Sequence, residues 1–259
     1  MALLEVRRLI VRFGGVQALG DVDLAVTQGE IWGLIGPNGS GKTTLFNVIT
    51  GLYRPTGGDV RLEDRRISGY PPHVITSRGV GRTFQNIRLF DDMTVVENVM
   101  VGCHCKSRSE FFGAVLRPGW VRQEETDIYS RSVEILHFLG LYHRRNDRPG
   151  GIPYGQRRLL EIGRALATQP KLLLLDEPSA GMNPQETNSL MSLLLGLRKQ
   201  GYTLMIVEHD MRLIMSICDH ITVLNFGQKV SEGTPAQVQN DERVIEAYLG
   251  RPKGHAESH

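Results

Sequence analysis

The sequence predicts an α/β fold: a parallel sheet covered by helices, with an antiparallel β edge near the N-terminus and an inserted helical subdomain. Three observations carry this reading. Apolar strand-like runs alternate with helical patterns through most of the chain; the first stretch reads as paired strands; and from about residue 92 to 164 the pattern changes to long amphipathic helices. A length of 259 residues suits one large domain, or a core with an inserted subdomain, rather than two average domains.

From Leu3, LLEVRRLIVRF and then ALGDVDLAV alternate in part and are separated by the turn-forming Gly14 and Gly15, which predicts strands. IWGLIG, after Glu30, is the near-continuous apolar run of a buried strand. The glycines Gly36, Gly39 and Gly41 follow it, and TTLFNVITGL then has helical spacing. RPTGG, from Arg54 to Gly58, is turn chemistry, and DVRLEDRRI returns to strand. The helical insertion includes ETDIYSRSVEILHFLGLY, with a break at Arg117-Pro118-Gly119. KLLLLDEP is again a strand, QETNSLMSLLLGLRKQG a helix stopped at Gly201, and YTLMIVEHD a further strand. ITVLNFGQKVSEG reads as a strand pair turning at Gly227, DERVIEAYLG as a short helix and RPKGHAESH as a polar tail. The expected organisation is one domain over 1–259: residues 1–91 and 165–235 form the core with its β edge, 92–164 the helical subdomain, and 236–259 the last helix and tail.

Composition narrows the function. With 41% hydrophobic and 22% charged residues the chain is an ordinary globular sequence, and 30 Lys plus Arg against 28 Asp plus Glu leaves a formal charge of +2. That balance predicts neither a nucleic-acid partner nor a dedicated membrane-surface binder. Arginines interrupt the apolar opening MALLEVRRLIVRF, so no secretory leader is expected. Apolar runs such as Leu172 to Leu175 are far short of the ~20 residues of a membrane span, so any membrane role is peripheral. Three cysteines, Cys103, Cys105 and Cys218, suit a reducing compartment, with the cytoplasm as the default.

Gly36-Pro37-Asn38-Gly39-Ser40-Gly41-Lys42-Thr43 satisfies G-x-x-x-x-G-K-[ST] between a strand and a helix, with Thr44 next. In that context the glycines let successive N–H groups turn around phosphate oxygens, and the helix adds its positive end. Lys42 reaches the β and γ phosphates, and the Thr43 hydroxyl ligates Mg²⁺. A plain glycine-rich turn with an exposed lysine is the competing reading; a dinucleotide site is disfavoured because G-x-G-x-x-G is absent. Asp176 and Glu177 end an apolar strand, where one carboxylate can hold Mg²⁺ and the other a water in line with the γ phosphate.

GPNGSGKTT, the Gln85 of RTFQ, GQRRLLEIGRAL after Tyr154-Gly155, LLLLDEP and the His209 of VEHD occur in the order and spacing of the ATP-binding-cassette (ABC) ATPases, which the chain resembles over nearly its whole length. VRFGGVQAL, RTFQNIRLF, PYGQRR and EPSAGMNP further resemble the nucleotide-binding subunits of branched-chain amino acid importers. The resemblance implies ATP and Mg²⁺ as ligands. It implies Phe13 as the ring stacked on adenine, against a core strand residue as the alternative. It implies Gln85 as a ligand of Mg²⁺ or of the attacking water, on a loop that senses the transmembrane subunit, and His209 as a γ-phosphate contact that holds the water with Glu177. Tyr154, Gly155 and Gln156 would offer backbone N–H groups to a nucleotide on a second cassette.

Two positions depart from the family pattern. The signature Leu-Ser-Gly-Gly-Gln is matched by Ile152-Pro153-Tyr154-Gly155-Gln156, so Pro153 removes the serine hydroxyl that donates to the partner's γ phosphate. Asn183 stands where many relatives carry Asp. Weaker features have bland readings. Cys103-His104-Cys105 lacks a second pair and reads as ordinary thiols. Arg144, Arg145 and Arg148 read as a solvated face, whereas Arg157 and Arg158 could touch phosphates or acidic partners. Trp32 reads as core, and His255 and His259 as tail.

The resemblance therefore implies an ATPase that energises a membrane importer of amino acids, branched-chain ones first, from the cytoplasmic face of the inner membrane. Its partners would be a second, different cassette chain, permease subunits and, indirectly, a substrate-binding protein. The alternatives are a soluble cassette ATPase acting without a membrane channel, or a transporter subunit for another cargo such as urea, an amide or a lipid.

Overall fold

The computed structural model describes residues 2–106 and 119–249; Arg117, Pro118, His255 and His259 lie outside them. The chain begins with two long antiparallel strands, β1 (Ala2–Phe13) and β2 (Val16–Thr27), paired from Ala2 with Thr27 to Phe13 with Val16 around the Gly14-Gly15 turn. Register shifts let the pair run this far: at one of them Arg8 takes φ +43°, and its N–H is caught by Asp23 Oδ1 at 2.8 Å. β3 (Ile31–Ile35), fully buried, leads through the glycine loop into α1 (Lys42–Ile49). β4 (Gly57–Leu62) and the two-residue β5 (Arg65–Arg66) complete a four-stranded antiparallel sheet in the order β2-β1-β4-β5.

The middle of the chain holds α2 (Pro72–Ser77), β6 (Val80–Arg82), α3 (Val95–Cys103), α4 (Gly119–Phe138), α5 (Tyr154–Ala167), β7 (Leu172–Asp176) and α6 (Pro184–Lys199). β6 and β7 pair in parallel, Val80 against Leu172. The helices α3, α4 and α5 close on a core of Val95, Val99, Ile128, Leu136 and Leu160. Both α3 and α6 begin with reciprocal capping boxes, Thr94 with Glu97 and Asn183 with Glu186, which fix where each helix starts.

The chain ends with β8 (Thr203–Val207), α7 (Met211–Ile217), β9 (His220–Asn225), β10 (Gln228–Gly233), α8 (Pro235–Gln239) and α9 (Glu242–Leu249). β3 lies between β8 and β9, parallel to both, and β10 folds back on β9. Every residue of β3 and β8 is buried, which explains why their sequences run apolar without alternation. Trp32 is core, as the sequence suggests; its indole N–H donates to Thr222 Oγ1 at 2.9 Å and its ring stacks on His220. Cys218 is buried, and that burial pushes its thiol pKa well up.

Contacts divide the chain into two compact units, Met1–Pro71 with Thr203–His259, and Pro72–Tyr202. Among the described residues no helix is long and apolar enough to cross a membrane.

Candidate active site

The first unit carries the phosphate loop. β3 ends at Ile35 and α1 starts at Lys42, so the six residues between them form the turn. Gly36 has φ +149°, and a Cβ there would lie 2.0 Å from the Leu224 carbonyl oxygen; Gly41 has φ +106°, and a Cβ there would meet Leu19 Cδ2 at 2.7 Å. Neither position admits a side chain, so the loop's two ends are glycine by necessity. Gly41 caps α1 without a side-chain acceptor, and the helix has no acidic residue in its first turn. The first N–H groups of α1 are thus left for an anion to satisfy.

Lys42 is buried and folds back over the loop, its Nζ donating to the carbonyls of Gly36 at 2.7 Å and Pro37 at 3.0 Å. Asn38 and Gly39 are exposed at the loop's crest, Ser40 is buried, Thr43 is exposed and Thr44 is half-buried. Ser40 Oγ is buried without a hydrogen-bond partner among the described residues. An orphaned hydroxyl, a cradle whose two ends admit no Cβ and an ammonium parked on carbonyls fit a polyphosphate. Tyr248 of α9 supports the loop from outside: burial raises its phenol pKa, opposed by a hydrogen bond from the Gly36 N–H.

Phe13 is 46% exposed, which argues against the core alternative, and its ring meets Tyr53 edge-on at 5.1 Å between centroids. Tyr53 carried no motif in the sequence. His209 is exposed just past β8, and its backbone N–H donates to Glu208 Oε2 at 3.1 Å.

The second unit carries the carboxylates, Gln85 and the signature segment. Asp176 is the last residue of β7, buried and held by Arg82, whose Nη2 lies 2.9 Å from Oδ2. Glu177 follows with φ +48°, a left-handed conformation that costs a non-glycine residue about 1 kcal/mol. Gln85 Nε2 donates to Glu177 Oε2 at 3.1 Å, bringing together two predicted site residues that are 92 apart in sequence.

The signature segment opens α5, with Pro153 as N-cap and no side-chain acceptor there. Serine is a good cap and proline has no hydroxyl to offer, so the N-cap residue itself satisfies none of the first N–H groups with its side chain. A Cβ on Gly155 would lie 2.5 Å from Glu186 Oε1, so the segment packs tightly on the start of α6. The Tyr154 ring is 41% exposed, and the Gln156 side chain is half-buried. Asn183, the other departure, has a local role: its Oδ1 accepts the N–H groups of Gln185 and Glu186 at 3.0 and 2.9 Å.

Arg158, read from sequence as a possible contact to phosphates or acidic partners, is 1% exposed. Its Nη1 lies 3.2 Å from Glu161 Oε2, and both side chains of this pair are 1% exposed. Burial raises the Glu161 pKa, opposed by the Phe84 N–H and by Arg158. Breaking such a buried pair by removing one partner costs about 3–5 kcal/mol. Asn98, fully buried, pins the far end of the Gln85 loop: it accepts the Phe90 N–H at 2.9 Å and donates to the Phe90 carbonyl at 3.0 Å. The sequence signalled none of Arg82, Asn98 or Glu161, and it singled out Arg158 without its acceptors. Only the i, i+3 spacing of Arg158 and Glu161 hinted at a pair.

Comparison with known proteins agrees with this layout. A family model described as ABC transporter matches residues 19–180, and one described as branched-chain amino acid ATP-binding cassette transporter matches residues 228–253. The high-affinity branched-chain amino acid transport ATP-binding protein BraF of Pseudomonas aeruginosa is 45% identical, covering 96% of this chain and 98% of its own length. The corresponding LivG of Escherichia coli is 44% identical with the same coverage. Among solved structures, an ATP-binding cassette of an ABC transporter in its ADP conformation superposes with a TM-score of 0.85 at 35% identity, covering 96% of this chain and 99% of that one. A dimeric cassette in a post-hydrolysis state, bound to ADP and Pi, gives 0.75 at 26% identity, covering 90% and 98%. With the phosphate loop, the strand-end carboxylates and the signature helix all inside the matched span, the chain belongs to the ABC transporter family as an ATP-binding cassette.

Proposed function

We propose that this chain is the ATP-hydrolysing subunit of a membrane importer for amino acids, with branched-chain amino acids as the cargo. The carrying observation is the phosphate loop, whose backbone excludes side chains at both ends and whose lysine is already held over it by two carbonyls. The names of BraF and LivG, matched along almost their whole lengths, support the cargo.

On this reading Lys42 exchanges the Gly36 and Pro37 carbonyls for β and γ phosphate oxygens, a move of one flexible side chain. The uncapped N–H groups of α1 take the remaining phosphate oxygens, and Phe13, beside Tyr53, offers its exposed face to adenine. Thr43, Asp176 and Gln85 would hold Mg²⁺, which when bound neutralises charge on the β and γ phosphates. Arg82 keeps the Asp176 carboxylate in place, and Gln85, with its amide nitrogen on Glu177, would have its carbonyl oxygen left to serve as a ligand. Glu177 accepts the proton of the attacking water as general base, and His209 holds that water and the γ phosphate. The amides of Tyr154, Gly155 and Gln156 serve the nucleotide of a second cassette. Because Pro153 weakens that service, the partner is a different chain with a standard signature.

The Gln85–Phe90 loop supplies the membrane contact: Gln85, Asn86, Arg88 and Phe90 are exposed, and both its ends are fixed by buried side chains. The chain then sits peripherally on permease subunits at the cytoplasmic face, with a substrate-binding protein acting on the far side. Purification from detergent-solubilised membranes, followed by reconstitution, tests the reading. ATP hydrolysis stimulated by leucine and its binding protein, in a complex holding permease subunits and two unlike cassettes, is the expected result. Recovery without permease subunits would support the soluble alternative, and stimulation by urea, an amide or a lipid would move the cargo.

A further inference from the structure

β6 ends at Arg82, yet the backbone beyond it does not go unpaired. The Phe84 N–H donates to Glu161 Oε1 at 3.1 Å, and the Phe84 carbonyl accepts from Arg158 Nη1 at 2.9 Å. The next carbonyl, that of Gln85, accepts from Arg158 Nη2 at 2.8 Å. A buried Arg–Glu pair on α5 thus takes the place of a neighbouring strand for the two residues that aim Gln85. The same guanidinium reaches the signature end: Arg158 Nη2 lies 3.2 Å from the Tyr154 hydroxyl, one helical turn earlier on the same face. From Gln85 the chain of contacts continues to Glu177 at 3.1 Å.

We propose that Arg158 is a positioning residue that couples the signature end of this chain to its own general base, through Tyr154, Arg158, Gln85 and Glu177. The inference rests on the function proposed above, in which Tyr154 faces a nucleotide on the second cassette while Glu177 acts on the chain's own. Two nucleotide sites would then be linked inside one chain. A planar fork suits this task and an ammonium does not, because four acceptors in two directions must be held at once. No link is longer than 3.2 Å, so a shift of the first turn of α5 reaches the Gln85 backbone without slack.

The test uses the assembled transporter and reads hydrolysis against ATP concentration. The wild-type complex should show a Hill coefficient above 1. Because removing Arg158 alone strands Glu161, the main variant is Arg158→Met with Glu161→Met, which replaces the pair by apolar chains of similar length. It should keep ATP affinity in the isolated chain within about twofold, lower kcat by about tenfold as charge-assisted hydrogen bonds are lost, and bring the Hill coefficient to 1. Tyr154→Phe, which leaves the buried pair intact, should lower the Hill coefficient with a smaller loss of kcat, and Arg158→Lys, which keeps the charge beside Glu161 but not the fork, should lower kcat and the Hill coefficient as the double variant does. A folded double variant with wild-type kcat and Hill coefficient overturns the coupling, as does a wild-type Hill coefficient of 1. If Tyr154→Phe is indistinguishable from wild type, the signature end is not part of the link. Lys42→Ala separates the two claims: it should weaken ATP binding by about 10- to 100-fold whether or not the coupling exists, and a complex that hydrolyses no ATP even as wild type defeats the transporter reading itself.

Discussion

The phosphate loop and the signature end are both starts of helices, and they differ in how each is held. At the phosphate loop the polar side-chain bonds are local, a lysine held by carbonyls five and six residues before it, although the glycines at positions 36 and 41 are required by Leu224 and Leu19 packed against them. At the signature end the constraints come from far along the chain, since Arg158 reaches carbonyls 73 and 74 residues away and Gly155 is pressed by Glu186. A locally built site tolerates change around it; a site built from distant parts can respond to them. The phosphate loop therefore suits constant binding, and the signature end suits conditional work.

The strongest way to break this contrast is at the base. Glu177→Gln keeps the Gln85 contact and loses basicity, so hydrolysis in the assembled complex should fall by about 10²–10⁴-fold while ATP still binds. The equivalent change in the partner cassette should cost less, because the site it abolishes is the one completed by Pro153. Equal losses, or a working complex with two copies of this chain, would remove the asymmetry. His209→Ala should likewise reduce turnover more than affinity.

Next in size is Lys42→Ala. Its two hydrogen bonds to neutral loop carbonyls are replaced by bonds to charged phosphate oxygens when nucleotide binds, and these are worth about 1.5–3 kcal/mol in all. Affinity should fall by about 10- to 100-fold with an unchanged circular dichroism spectrum. Unchanged affinity in the folded variant would take the phosphate role away from this loop.

The contrast also explains what was legible. The β edge, the buried strands β3 and β8, the loop from Gly36 to Thr43, and the acids at the end of β7 are all written in neighbouring residues, and each was read from them. Phe13 was left open between stacking ring and core, because a strand pattern does not say which end of a strand reaches the surface. Arg158, read as a possible contact to phosphates or acidic partners, was placed only in part for a related reason: a sequence does not name the acceptors of a helical arginine, and two of them are backbone groups of residues 84 and 85. Asn98 has the same illegibility, since its acceptors are loop carbonyls that any sequence would offer.

Pro153→Ser sharpens the comparison at the signature end. It restores a hydroxyl and an N-cap to a helix start that has neither, so α5 should gain roughly 0.5–1 kcal/mol, read as a higher Tm. Turnover at the partner's site should rise about fivefold, the worth of one hydrogen bond near 1 kcal/mol. A stability gain without a turnover gain would show that the segment's backbone amides already suffice.

The smallest expected effect is at Asn183, and it separates helix capping from signalling. Asn183 Oδ1 accepts two N–H groups at the start of α6, and Glu186 Oε2 accepts the Asn183 N–H at 2.9 Å. Asn183→Ala removes the acceptor and should cost about 1 kcal/mol of stability, with the turn that presses Glu186 on Gly155 loosened. Asn183→Asp keeps the acceptor and adds a charge at the positive end of the helix, which favours it by a few tenths of a kcal/mol. Glu186 stands three residues on and opposes part of that gain, so the net change in Tm should be within about 1 °C. If Asn183→Asp leaves Tm in place yet changes turnover in the assembled complex, the residue acts across the cassette interface as well as at its own helix. If both stay fixed, asparagine here is a cap that happens to replace an aspartate, and the difference from the family pattern has no consequence for coupling.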